Sequence, residues 1–173
     1  MTVAAPTYSL ARWLEQPVVE CHHKGTGYFP SELEKVHKAL GYHELPLYTA
    51  VRTPVRGGHY SWKVRVTLFE RCTADGVRRV RRVHHATAAR CSFRTGMADA
   101  ARQALAVLRY EENDMSHSQY KYFAQRESGT AEEYFSDLES EGYNMMVQVR
   151  YSEALSDELT DALDDLACSC QEP

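Results

Sequence analysis

The clearest periodic signal in the chain lies in residues 61–71. Trp62, Val64, Val66 and Leu68 alternate there with Lys63, Arg65 and Thr67, the two-residue period of a half-buried strand. Residues 45–52 read as a strand before it, with the Thr53-Pro54-Val55-Arg56-Gly57-Gly58 loop between them. Asp75-Gly76 is a tight-turn signal. Beyond it, residues 77–93 read as one long or bulged strand with Val80, Val83, Ala88 and Cys91 facing inward. On either side of this group the apolar spacing turns helical. Leu33, Val36, Ala39 and Leu40 share one face behind Pro30-Ser31, a pair suited to a helix start, and Gly41 is placed to end the helix. Ala98, Ala101, Leu105 and Leu108 form a second stripe over residues 96–109. The order predicts an α+β fold: a three-stranded antiparallel sheet over residues 45–93, with both helices on one of its faces.

The flanks are less regular. In an N-terminal extension, residues 1–29, Tyr8 to Leu14 suit a short helix and Val18-Val19-Glu20-Cys21 a short strand. A C-terminal extension, residues 110–173, is expected to pack on the central domain, residues 30–109. In it, Asp114-Met115-Ser116 suits a helix start, and Thr130-x-x-Glu133 is a capping box for a helix that Gly142 stops. Met145, Val147 and Val149 alternate with Met146, Gln148 and Arg150, which predicts a strand over 144–151, free to add to the sheet edge of this chain or of a second copy. Ser156 then opens a last helix. Leu159, Leu163 and Leu166 line one side of it, opposite Asp157, Glu158, Asp161, Asp164 and Asp165. Tyr110, Tyr120, Tyr122, Phe123, Tyr134, Phe135, Tyr143 and Tyr151 gather in the same extension, and closing the core is their expected role.

Charge sharpens this division. The net charge of −4 conceals thirteen basic against three acidic residues in 52–109, and three basic against sixteen acidic in 110–173. Such asymmetry points either to a polyanionic partner or to neutralisation inside the fold. Its densest positive feature is Arg78, Arg79, Arg81 and Arg82. In a regular strand Arg79 and Arg81 would face one way and Arg78 and Arg82 the other, beside Val80, so a bulge or a loop is needed to sort them. The acidic C-terminus is expected to fold back onto this run. Five cysteines at irregular spacing, without a secretory signal, fit reduced thiols in a cytoplasmic or nuclear protein rather than a secreted one. No apolar run is long enough for a membrane helix.

The residues of the middle segment also resemble a known family. Pro46-Leu47-Tyr48 is similar to the proline–aliphatic–tyrosine lead-in to the first strand of double-stranded-RNA-binding domains. Trp62-Lys63-Val64-Arg65-Val66-Thr67-Leu68 is similar to their second strand, and Gly57-Gly58-His59 to the histidine loop that enters the RNA minor groove. Here that loop has no proline at the corresponding place, and its histidine is displaced by about one position. The resemblance covers residues 30–109. The family grips phosphates with three lysines at the start of its last helix. The matching stretch here is Arg94-Thr95-Gly96-Met97-Ala98-Asp99, which keeps Arg94 alone and places Asp99 where an anion would bind. Phosphate contacts supply most of the affinity in such complexes. Members of the family that lose those lysines turn to protein partners, and the resemblance implies the same here.

Three readings follow. The leading one is a non-catalytic interaction module engaging a protein partner or a second copy, with weak or relocated affinity for double-stranded RNA. The next is a true RNA binder using Arg56, Gly57, Gly58 and His59 with Arg78, Arg79, Arg81, Arg82 and Arg94. The third is an enzyme on a divergent α+β fold, for which Cys91 near His84 or His85 is the conceivable nucleophile. Cys21, His22-His23, His84-His85 and Cys91 lack zinc-type spacing, and Cys168-x-Cys170 reads as two ordinary thiols. No metal, cofactor, small-molecule substrate or membrane contact is expected.

Overall fold

A computed structural model describes residues 18–22, 25–71, 74–117, 120, 123–128 and 145–170. The helices expected at 8–14 and 130–142 lie outside these residues. Four strands form one antiparallel sheet in chain order: β1 (Val18–His22), β2 (Leu47–Pro54), β3 (Tyr60–Phe69) and β4 (Val80–His85). Three of them are the expected meander, and β1 adds a fourth beside β2. Helix α1 (Tyr28–Ala39) precedes the meander, α2 (Phe93–Glu111) follows it, and α3 (Met145–Cys170) closes the described chain.

Register explains the core. Tyr48, Val66 and His84 are cross-strand neighbours, as are Ala50 and Val64, and all five are buried beneath the helices. Leu33 and Val36 of α1 and Ala101 and Leu105 of α2 meet them, all four buried as their spacing predicts. Gly96 lets α2 lie close on β3, since a Cβ there would stand 2.3 Å from Val64 Cγ2. Helix α1 starts at Tyr28, two residues before Pro30-Ser31. Pro30 falls within the first turn, where its missing N–H has no helical partner in any case.

Two expectations fail. The strand expected over 77–93 is paired as β4 only over Val80–His85, and a bulge shifts its phase. Leu68 opposes Arg82 while Phe69 opposes Val80, so Arg81 is the extra residue. Val80 is consequently 54% exposed and His84 faces inward in its place, while Ala88 and Cys91 are exposed. The strand expected over 144–151 is instead the start of α3, a single helix running unbroken through Ser156. Val147, Tyr151, Ala154 and Leu155 recur at helical spacing and pack against the core, which outweighs the short alternation. Phe123 stacks on Tyr151 with ring centroids 4.6 Å apart, and Tyr120 packs edge-on to Phe123, so these aromatics do close the core. No helix among the described residues is long and apolar enough to cross a membrane.

Candidate nucleic-acid and protein interface

The candidate residues separate into two groups at opposite ends of the sheet. Arg56–Gly58 form a single 3-10 turn between β2 and β3, with Gly57 and Gly58 at φ 80° and 78°, a backbone that a residue with a Cβ adopts only at a cost. His59 is exposed, and its carbonyl accepts a hydrogen bond from Val55 N at 3.0 Å. Arg94, also exposed, belongs to this end, because α2 begins where Phe93 packs on Trp62. Beside the turn, Arg52 stacks on Tyr60 with its guanidinium carbon 4.1 Å from the ring centre.

The arginine run lies at the far end of β3, about 30 Å away by strand rise. Each of its members meets a carboxylate. Arg78 lies 3.7 Å from Glu44, Arg79 2.8 Å from Asp75 and Arg81 2.8 Å from Glu112, and Arg82 pairs with Glu111. The bulge lets adjacent Arg81 and Arg82 both reach the C-terminus of α2. Arg78 also covers the Phe69 ring at 3.7 Å. Thus the run is neutralised by Glu44, Asp75 and the two glutamates ending α2, not by the acidic face of α3. An open cleft lined by Tyr42, Glu70, Arg71, Arg81 and Glu112 lies alongside. Beneath it His37 stacks on Tyr42 at 4.4 Å. Burial, then the Arg81 charge, pushes His37 down to about 4, partly offset by a hydrogen bond with the Glu44 backbone.

Asp99 is not the surface carboxylate that the sequence implied. It is fully buried, and its oxygens accept from Thr87 N at 2.8 Å, Thr87 Oγ1 at 2.7 Å, Arg90 Nη2 at 3.0 Å, and Arg102 Nη2 and Gln103 Nε2 at 3.3 Å. Burial raises its carboxyl. The Thr87 hydrogen bond and the Arg102 and Arg90 charges more than reverse that, so it sits below the usual carboxylate value. Asp99 therefore fastens the segment after β4 to α2. Through Arg102 it also reaches α3, because Arg102 Nε donates to Glu158 Oε1 at 2.8 Å. Its sequence signal is misleading because its partners Thr87 and Arg90 lie twelve and nine residues upstream, in a loop where the sequence pattern predicts strand.

Helix α3 runs antiparallel to α2. Glu158 meets Arg102, and seven residues later the Asp165 carbonyl lies 3.9 Å from Cys91 Sγ, just before the first turn of α2. Ser92 caps that turn, accepting from Thr95 N at 3.1 Å. Glu158, read as part of the solvated acidic face, thus points inward. Burial, then the Asp165 contact and Cys168, push the Cys91 thiol up to about 11, the opposite of an activated nucleophile. His84 is driven down to about 3, by burial first and then by Arg82, His85, Arg81 and Arg126. Among the described residues, no group of three His, Cys, Asp or Glu side chains could hold a metal. Comparison of the chain with models of known families, with curated proteins and with solved structures finds no match in any of the three.

Proposed function

We propose that this chain is a non-catalytic interaction module, built like a double-stranded-RNA-binding domain, that works mainly through protein contacts and has only weak affinity for RNA. One observation carries the reading: acidic α3 ends against the start of α2, the place where the family's phosphate-gripping lysines would stand. Asp157, Asp161 and Asp164 are exposed on this helix. Their negative field opposes an RNA backbone approaching Arg94 and the Arg56–Gly58 turn. Pairing of the distant arginine run with four carboxylates supports the same reading, since those charges already have partners.

The test is a titration of duplex RNA at two salt concentrations. It compares the full chain with a variant carrying Asp157→Asn, Asp161→Asn and Asp164→Asn. The wild type should bind weakly, and the neutralised variant more tightly at low salt. Tight, steeply salt-dependent binding by the wild type would reject the proposal in favour of an RNA reader using Arg56, His59 and Arg94.

A further inference from the structure

Two thiols distant in the chain meet where α3 ends. Cys91 stands immediately before Ser92, the N-cap of α2, and its Sγ donates to the Asp165 carbonyl at 3.9 Å. Cys168 follows Asp165 by three residues, on the same side of α3. Its thiol is close enough to hydrogen-bond with that of Cys91. Both cysteines are free and exposed, so a small reagent in solution reaches either sulfur.

Burial contributes little to holding this end of α3. Earlier in the helix, Val147, Tyr151 and Leu155 pack on the core, Ala154 is buried within it, and Glu158 accepts from Arg102. From Leu159 to Cys168 no residue is buried. Helical turns without buried apolar contacts open at low free-energy cost. A covalent tie at Cys168 therefore acts on the part of α3 that packing restrains least.

We infer that Cys91 and Cys168 form a modification site, where a hydroperoxide converts the two thiols into a disulfide that pins the end of α3 to the start of α2. In the first step the Cys168 sulfur attacks one peroxide oxygen. The O–O bond breaks, Cys168 becomes a sulfenic acid, and the other oxygen leaves as water. In the second step the Cys91 sulfur attacks that of Cys168. The S–O bond breaks, the S–S bond forms, and the departing hydroxide takes the Cys91 proton to leave as water. The thiols together lose two electrons and two protons, and hydrogen peroxide is reduced to two waters. The order follows from the Cys91 environment. Its thiol, pushed up to about 11, stays protonated and is slow to attack first. As the second attacker it gains from its nearness to the Cys168 sulfur, and the Cys168 charge, one cause of its high value, is gone once that sulfur is oxidised.

The test treats the reduced full chain with a small excess of hydrogen peroxide, blocks the remaining thiols and maps the products by mass spectrometry. The monomer should lose about 2 Da and yield a Cys91–Cys168 peptide that dithiothreitol cleaves. Cys91→Ser and Cys168→Ser should each abolish this link, and Cys170→Ser should leave it intact. Circular dichroism melts show that these variants remain folded. In the oxidised wild type, hydrogen exchange over residues 159–168 should slow about tenfold or more relative to the reduced chain, and Cys91→Ser should show no such change. Absence of the link, a link between two chains, a link joining Cys168 to Cys170, or unchanged exchange in the linked chain overturns the inference. The site goes beyond the protein-contact reading and does not depend on it. That reading fails separately, if the wild type grips duplex RNA tightly.

Discussion

Lowering the pH from 7.5 to 5.0 should destabilise the fold through two buried histidines. Folding holds His84 down at about 3 and His37 at about 4, against an ordinary value of about 6.5 in the unfolded chain. Between those limits the unfolded chain binds more protons than the folded one. The stabilisation is therefore complete above pH 6.5 and is lost as the pH falls. At about 1.4 kcal/mol per pH unit, each histidine costs about 2 kcal/mol by pH 5, and the two together about 4 kcal/mol. That is a large part of the 5–15 kcal/mol typical of a domain. Urea unfolding at both pH values, on the wild type and on His84→Leu, measures it. The variant should lose about 2 kcal/mol less stability than the parent over this range. His85 is also lowered, by burial first and then Arg65, and Glu158 is raised by burial against the pull of Arg102. Both are present in the two proteins and cancel in the comparison. An equal loss in parent and variant would show that His84 is not held neutral by the fold, and would refute the reasoning.

Two further outcomes follow from the packing around α2. Asp99→Asn removes the charge that faces Arg90 and Arg102 and should cost about 3 kcal/mol in denaturant unfolding, because Arg90 then loses its buried counter-ion and Arg102 keeps only Glu158; a loss below about 0.5 kcal/mol would contradict its place at the centre of that network. Gly96→Ala sets a methyl 2.3 Å from Val64 Cγ2, so thermal melting should show a loss of about 1–3 kcal/mol from overpacking, and Val64→Ala in the same chain should restore part of it.

The meander was legible because its evidence is local. Trp62 to Leu68 alternate without interruption, and Leu33, Val36, Ala101 and Leu105 mark the helix faces within single turns. What escaped depends on residues distant in the chain. Inserting Arg81 as a bulge moves Val80 outward and His84 inward, and only pairing with Phe69 reveals that shift. The stretch from Met145 to Tyr151 supports both a two-residue and a helical period, and the core around Phe29 and Phe123 decides between them. Of the candidate site, Arg56 to His59 and Arg94 do share one end of the molecule. The sequence could not show that the arginine run sits at the other end, matched to Glu111 and Glu112.

The bulge at Arg81 has a further consequence. β4 is one of the two edge strands of the sheet, and its free side is a latent template on which a foreign strand could grow. The strand is short, kinked by one surplus residue and studded with guanidinium groups, all features that frustrate such growth and the fibrils it seeds. The arginine run thus disfavours edge-to-edge pairing along β4, which leaves contacts there to side chains rather than to the backbone.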